Sequence, residues 1–159
     1  MSSSNSGIAK AVLGIAVKKT YALVVETKTL FTVSGLVLIT SIVGKVTTAI
    51  TVANTVKLQA NPTVGTTQDI FAATDIGTTD TPAGDLIGVT GAPADGPLLG
   101  IGAVQAWGSK ATLAAGDAGK GLFVTAGTIE QVTATGADGT IDWWLTYVAI
   151  EPNASVIAA

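Results

Sequence analysis

The chain predicts an all-β protein, a sandwich or barrel of short antiparallel strands with long Gly/Asp-rich loops and an N-terminal arm. Three observations lead there. Apolar and polar residues alternate with period two, as in Thr55 to Ala60, where Val56, Leu58 and Ala60 share one face and Lys57 and Gln59 the other. Short apolar fragments are punctuated throughout by Gly, Pro, Asp and Thr turn signals. No segment shows the apolar spacing of a convincing amphipathic helix.

Residues 1–7 are small and polar and read as a flexible arm. Residues 8–17 read either as a short helix or as a first strand, with Gly14 and the β-branched residues working against the helix. Tyr21 to Thr27 and Leu30 to Val33 are strand candidates, followed by the turn signal Ser34-Gly35. Leu36 to Val43 is a second apolar run, continued past Gly44 by Lys45 to Val52. Asn61-Pro62 ends the alternating strand. From Thr63 to about Gly121 the chain is loop-heavy, with short strands expected at Ile70–Ala73, Leu86–Val89, Leu98–Ile101 and Val104–Trp107. Thr128–Thr135 and Thr140–Ile150 flank Gly136-Ala137-Asp138-Gly139 and read as a β-hairpin with a four-residue loop. Both faces of the second strand are largely apolar, which makes it central or places it in an interface.

Composition excludes much chemistry. The 159 residues contain no His, no Cys and no Arg. A thiolate or imidazole zinc site and a Ser-His-Asp or Cys-His arrangement are therefore ruled out within one chain. Charged residues are 12% of the chain, about half the usual share, against 48% hydrophobic. So few charges suggest a surface partly covered by neighbours, and hence a homo-oligomer. With net charge −3 and eight dispersed lysines, no nucleic-acid partner is expected. The most hydrophobic stretch, residues 30–44, is shorter than the ~20 residues of a membrane helix and rich in strand formers, so no membrane span is expected either. The N-terminus lacks the basic region of an export signal.

The remaining motifs are weak. Gly44-Lys45, Gly119-Lys120-Gly121 and Gly100-Ile101-Gly102 each lack residues that a phosphate loop requires, and they read as turns. Glu26, Glu130, Asp142 and Glu151 are the carboxylates available for a glycosidase pair, but spacing alone brings no two together. Asp75, Asp80, Asp85 and Asp95 crowd the central loops without a calcium-loop pattern. No cofactor is expected. The sequon Asn153-Ala154-Ser155 stands in a chain without an export signal.

The aromatic residues carry more weight. Trp143 and Trp144 are adjacent, so on a strand they face opposite sides. Buried, each is worth up to about 6 kcal/mol for roughly 250 Å². The pair reads as two core anchors, as one core and one subunit-interface anchor, or as a sugar platform. Tyr147 and Trp107 are further anchor candidates.

Three segments resemble capsid decoration (head cement) proteins of tailed phages: residues 19–50, KTYALVVETKTLFTVSGLVLITSIVGKVTTAI; residues 56–76, VKLQANPTVGTTQDIFAATDI; and residues 139–159, GTIDWWLTYVAIEPNASVIAA. Together they cover about two-thirds of the chain, and Ala149-Ile150-Glu151-Pro152 departs slightly from the ending that such proteins show. The resemblance implies a non-enzymatic virion protein on the outer capsid surface, made in the host bacterial cytoplasm. It implies a trimer or similar cluster that clamps major capsid protein subunits. Residues 1–17 would be a docking arm, with Ile8, Val12, Leu13 and Ile15 as its apolar contacts, and residues 18–159 the oligomerising β-domain. The competing expectations are a phage receptor-binding or tail-fibre domain and a carbohydrate-binding module with Trp107 or Trp144 as the platform.

Overall fold

The computed structural model describes residues 14–89, 96–100 and 121–159. These residues form eleven strands and no helix: β1 (Ile15–Ala22), β2 (Thr27–Ser34), β3 (Val37–Thr48), β4 (Thr55–Pro62), β5 (Gln68–Asp75), β6 (Leu86–Gly88), β7 (Leu98–Gly100), β8 (Leu122–Val124), β9 (Gly127–Thr133), β10 (Thr140–Ala149) and β11 (Ser155–Ala158). Two antiparallel sheets pack face to face as a sandwich. The first has the order β1-β10-β3-β6-β7, with β8 pairing on β3; the second has the order β11-β2-β9-β4-β5. Of the short strands expected in the middle of the chain, three are present as β5, β6 and β7; the fourth, Val104–Trp107, lies outside the described residues.

The core lies between the sheets and follows the period-two pattern. Along β10, Ile141, Trp143, Leu145 and Tyr147 are buried inward. Opposite them stand Leu30, Phe31 and Val33 of β2, Val56 and Leu58 of β4, and Ile129 of β9. Phe71 of β5 packs against Trp143 with ring centroids 6.5 Å apart. Gly44 is the direct cross-strand partner of Trp143. A Cβ there would lie 2.9 Å from the indole ring, so the missing side chain makes room for it.

Two irregularities set which residues face inward. In β3 the register with β10 shifts between Thr146 and Tyr147. Val37 and Ile39 are buried before the shift, and Ile42 and Val46 after it. The extra residue inverts the parity of the strand, as a bulge must. In β2 the shift between Thr29 and Phe31 buries the adjacent Leu30 and Phe31 together.

Three sequence expectations are corrected. β9 and β10 are not a hairpin: β9 pairs with β2 and β4, while β10 pairs with β1 and β3. Residues 134–139 instead carry the chain from the second sheet to the first. Tyr21 to Thr27 is not one strand. The chain leaves β1 after Ala22, buries Leu23, exposes Val24 and Val25, and enters the other sheet at Thr27. The sheet also begins before residue 18, because Ile15, Ala16 and Val17 pair with Tyr147, Thr146 and Leu145. Ile15 is therefore a strand residue and not part of an arm; Ile8, Val12 and Leu13 lie outside the described residues.

Seven connections pass between the sheets: β1–β2, β2–β3, β3–β4, β5–β6, β8–β9, β9–β10 and β10–β11. One of the two shortest, Gly35-Leu36, uses the positive φ of Gly35 (69°) to turn the corner. Glu151 fastens it by accepting the Leu36 amide at 2.9 Å. At the opposite end two aspartates tie the loops together. Asp138 accepts the Thr51 amide and hydroxyl, both at 2.8 Å. Asp75 accepts the amides of Asn54, Gly77 and Thr78 and the Thr78 hydroxyl.

Candidate interaction surface

Strand β10 positions three of the four aromatic residues singled out from the sequence. Trp143 is fully buried, and its Nε1–H donates to Gln131 Oε1 of β9 at 2.8 Å. Gln131 Nε2 in turn donates to Thr133 Oγ1 at 3.1 Å. This polar chain crosses the core and satisfies the indole. Tyr147 is buried on the same side. Trp144 points the other way, onto the outer face of the first sheet, with Lys18 Nζ 5.0 Å from its ring centroid. Trp107 lies outside the described residues. The structure thus gives Trp143 and Tyr147 to the core and Trp144 to the surface.

The two outer faces differ in chemistry. On the second sheet, Glu130 accepts from Thr128 Oγ1 at 2.7 Å, Gln59 Nε2 at 2.8 Å and Asn61 Nδ2 at 3.1 Å. Burial alone would raise its carboxyl, but the three donors outweigh it and hold the group below its ordinary value. Lys57 pairs with Asp69 at 2.8 Å on the same face. Around Glu130 that face is a polar, internally bonded surface, with Ile157 exposed at its β11 edge.

The outer face of the first sheet is apolar over half its length. Phe123 of β8 stands beside Leu38 of β3, and Leu38 beside Val148 of β10, in one cross-strand row. Val43 and Trp144 form a second row with Lys18. Between them lie the small residues Ala16, Thr146 and Ser41. The charges sit toward the other half. Asp142 takes Lys18 at 2.6 Å and the Thr20 hydroxyl, and these, with Lys45 nearby, lower its carboxyl below the ordinary value.

The carboxylates weighed for catalysis are dispersed. Glu130 and Asp142 occupy opposite outer faces. Glu26 and Glu151 lie in connections at opposite ends, β1–β2 and β10–β11. Asp75, the first of the candidate calcium aspartates, spends its oxygens on loop donors, the Thr78 hydroxyl and the Gly77 amide foremost, which lower its carboxyl to about 2. Asp95 lies outside the described residues. Among the described residues, no three His, Cys, Asp or Glu side chains converge to hold a metal ion. No described helix is long and apolar enough to cross a membrane.

Phe123, Leu38 and Val43 were not legible as surface residues in the sequence. Leu38 and Val43 sit in a continuous apolar run whose parity inverts at the bulge, and Phe123 belongs to a strand of three residues. Gln131 was missed because a buried polar residue interrupts the pattern that identifies core. No protein-family model matches the chain, and no curated protein and no solved structure is significantly similar to it.

Proposed function

We propose that the protein is a structural component of a tailed-phage virion, a homo-oligomeric decoration protein, most simply a trimer, that binds the outer capsid surface and stabilises contacts between major capsid subunits. The observation that carries the contact function is the contrast between the two outer faces of the sandwich. One is polar and hydrogen-bonded within itself; the other exposes an apolar row with its charges drawn to one side. A face of the second kind suits contact. The dispersed carboxylates and the absence of His, Cys and Arg agree with a function without bond chemistry. The capsid as partner rests on the resemblance of residues 19–50, 56–76 and 139–159 to decoration proteins.

Electron microscopy of purified virions tests the reading. Density for the chain at hundreds of sites over the outer capsid supports it. A handful of copies at the tail supports a receptor-binding domain instead, and no density rejects both. Deletion of residues 2–10 is expected to abolish capsid docking and leave the sandwich folded. Full occupancy by the truncated protein would remove the docking role of the segment before β1.

A further inference from the structure

We propose that the apolar half of the first sheet's outer face, built around Phe123, Leu38, Val148 and Trp144, is the surface through which copies of this chain associate. The inference rests on the homo-oligomer part of the reading above and assigns it a surface.

Elimination comes first. Copies of a β-sandwich associate either by adding strands at sheet edges or by packing faces. Every edge here is blunted. β1 carries Lys18 and Lys19, and the Lys19 ammonium reaches across to the Ala159 carbonyl, which ties the strand to the end of β11. β11 has four residues, and β7 and β8 three each. β5 departs from regular register with β4 at two points. Of the two faces, the centre of the second sheet's is already satisfied within itself by Glu130, its three donors and the Lys57–Asp69 pair, and its large exposed apolar residue, Ile157, stands at the β11 edge away from any apolar row.

Area then favours a second copy. Phe123 is 65% exposed, and Ile150, at the same end of the sheet, is 47% exposed. With the half-buried Leu38, Trp144 and Val148 they present roughly 300 Å² of apolar surface, taking about 150–250 Å² for a whole large side chain. One partner in a standard interface contributes about 800 Å², of which about 65% is apolar in homodimers, or roughly 500 Å². The patch is therefore more than half of one partner's apolar share of such an interface, and a second copy supplies the facing share. Charge agrees. Of the charged residues near the patch, Lys18 and Asp142 already pair with each other. The row of Phe123, Leu38 and Val148 itself carries no charged residue, so stacking copies through that row places no charge at its centre.

Light scattering of the full chain, with thermal unfolding as the fold control, tests this. The wild type is expected at a multiple of the 15.8 kDa chain mass. Phe123→Asp and Val148→Asp are each expected at the single-chain mass while still unfolding in one cooperative transition, its midpoint lower than the wild type's only by the stabilisation that association supplies. Should an aspartate variant unfold, Trp144→Gln, a polar change on the same face, gives the same readout. An oligomer that survives all three substitutions overturns the proposal, as does a wild type that stays monomeric up to its solubility limit. A monomeric wild type whose capsid occupancy is lost in Phe123→Asp also overturns it and gives the face to the capsid. A wild type that oligomerises through this face but never binds capsids leaves the proposal standing and removes the capsid reading.

Discussion

Replacing Trp143 by phenylalanine tests the polar chain that crosses the core. The side chain is fully buried, and its Nε1–H donates to Gln131 at 2.8 Å. Losing the larger ring removes roughly 40 Å² of buried apolar surface, about 1 kcal/mol at about 25 cal/mol per Å². The void left is roughly 35 Å³, worth about 1 kcal/mol more at about 24 cal/mol per Å³. Gln131 Oε1 becomes a buried acceptor without its donor, a further loss of about 1–3 kcal/mol. Trp143→Phe is thus expected to destabilise by about 3–5 kcal/mol, a fall in Tm of roughly 10 °C for a chain of this size. Gln131→Leu alone strands the indole N–H and is expected to lose about 1–3 kcal/mol. The double variant strands neither partner, so it should recover about 1–2 kcal/mol relative to the sum of the single changes. Urea unfolding followed by circular dichroism measures all three. Additivity to within about 0.5 kcal/mol would refute the coupling and with it the assigned hydrogen bond.

Three further outcomes are expected. Gly44→Ala places a methyl 2.9 Å from the Trp143 ring and 3.0 Å from Ile141, and should destabilise by about 1–3 kcal/mol in the same assay; a neutral result would mean that the indole has room to move. Lys19→Val removes both the charge on the long edge strand and its tie to Ala159, so light scattering on warming should report aggregation at lower temperature than for the wild type; unchanged aggregation would show that the edge is protected in another way. Acid should unfold the sandwich through its loop aspartates. The Thr78 hydroxyl and loop amides hold Asp75 at about 2 instead of 3.8. Asp138, held by the Thr51 amide, and Asp142, held by Lys18, are also lowered. A carboxyl depressed in the folded state contributes stability above its unfolded pKa and loses it as pH falls through the folded one. Tm should therefore be level above pH about 5 and decline from about 4 toward 2, with Asp75→Asn shallower than the wild type; a Tm independent of pH down to 2 would contradict this.

The sequence revealed the class of fold and the inward set of β10, because Ile141, Trp143, Leu145 and Tyr147 alternate without interruption. It did not reveal which sheet each strand joins. Gly136-Ala137-Asp138-Gly139 carries the local signal of a tight turn, and that signal is the same whether the chain doubles back in one sheet or steps to the other. What distinguishes the two is long-range: the anchoring of Asp138 on Thr51, 87 residues away. The start of β1 was hidden by Lys18 and Lys19, whose charges suggest a boundary where the strand in fact continues. The surface row of Phe123, Leu38 and Val148 was hidden by the parity change in β3. A bulge reverses inside and outside without altering composition, so hydrophobicity alone could not place Leu38 on the surface and Ile39 in the core.

The strand order also bears on how the protein emerges from the ribosome. Among the described residues, β1 pairs only with β10, and β2 only with β9 and β11. Their partners begin at residue 127 or later. The apolar inner faces of the first two strands therefore wait for residues 127 onward before they can close, whereas the pairings β4–β5, β6–β7 and β3–β6 need nothing beyond residue 100. Synthesis at about 5–20 residues per second makes that wait several seconds or more. The nascent stretch of β1 and β2 is then the one for which a chaperone holding extended apolar segments has the longest opportunity.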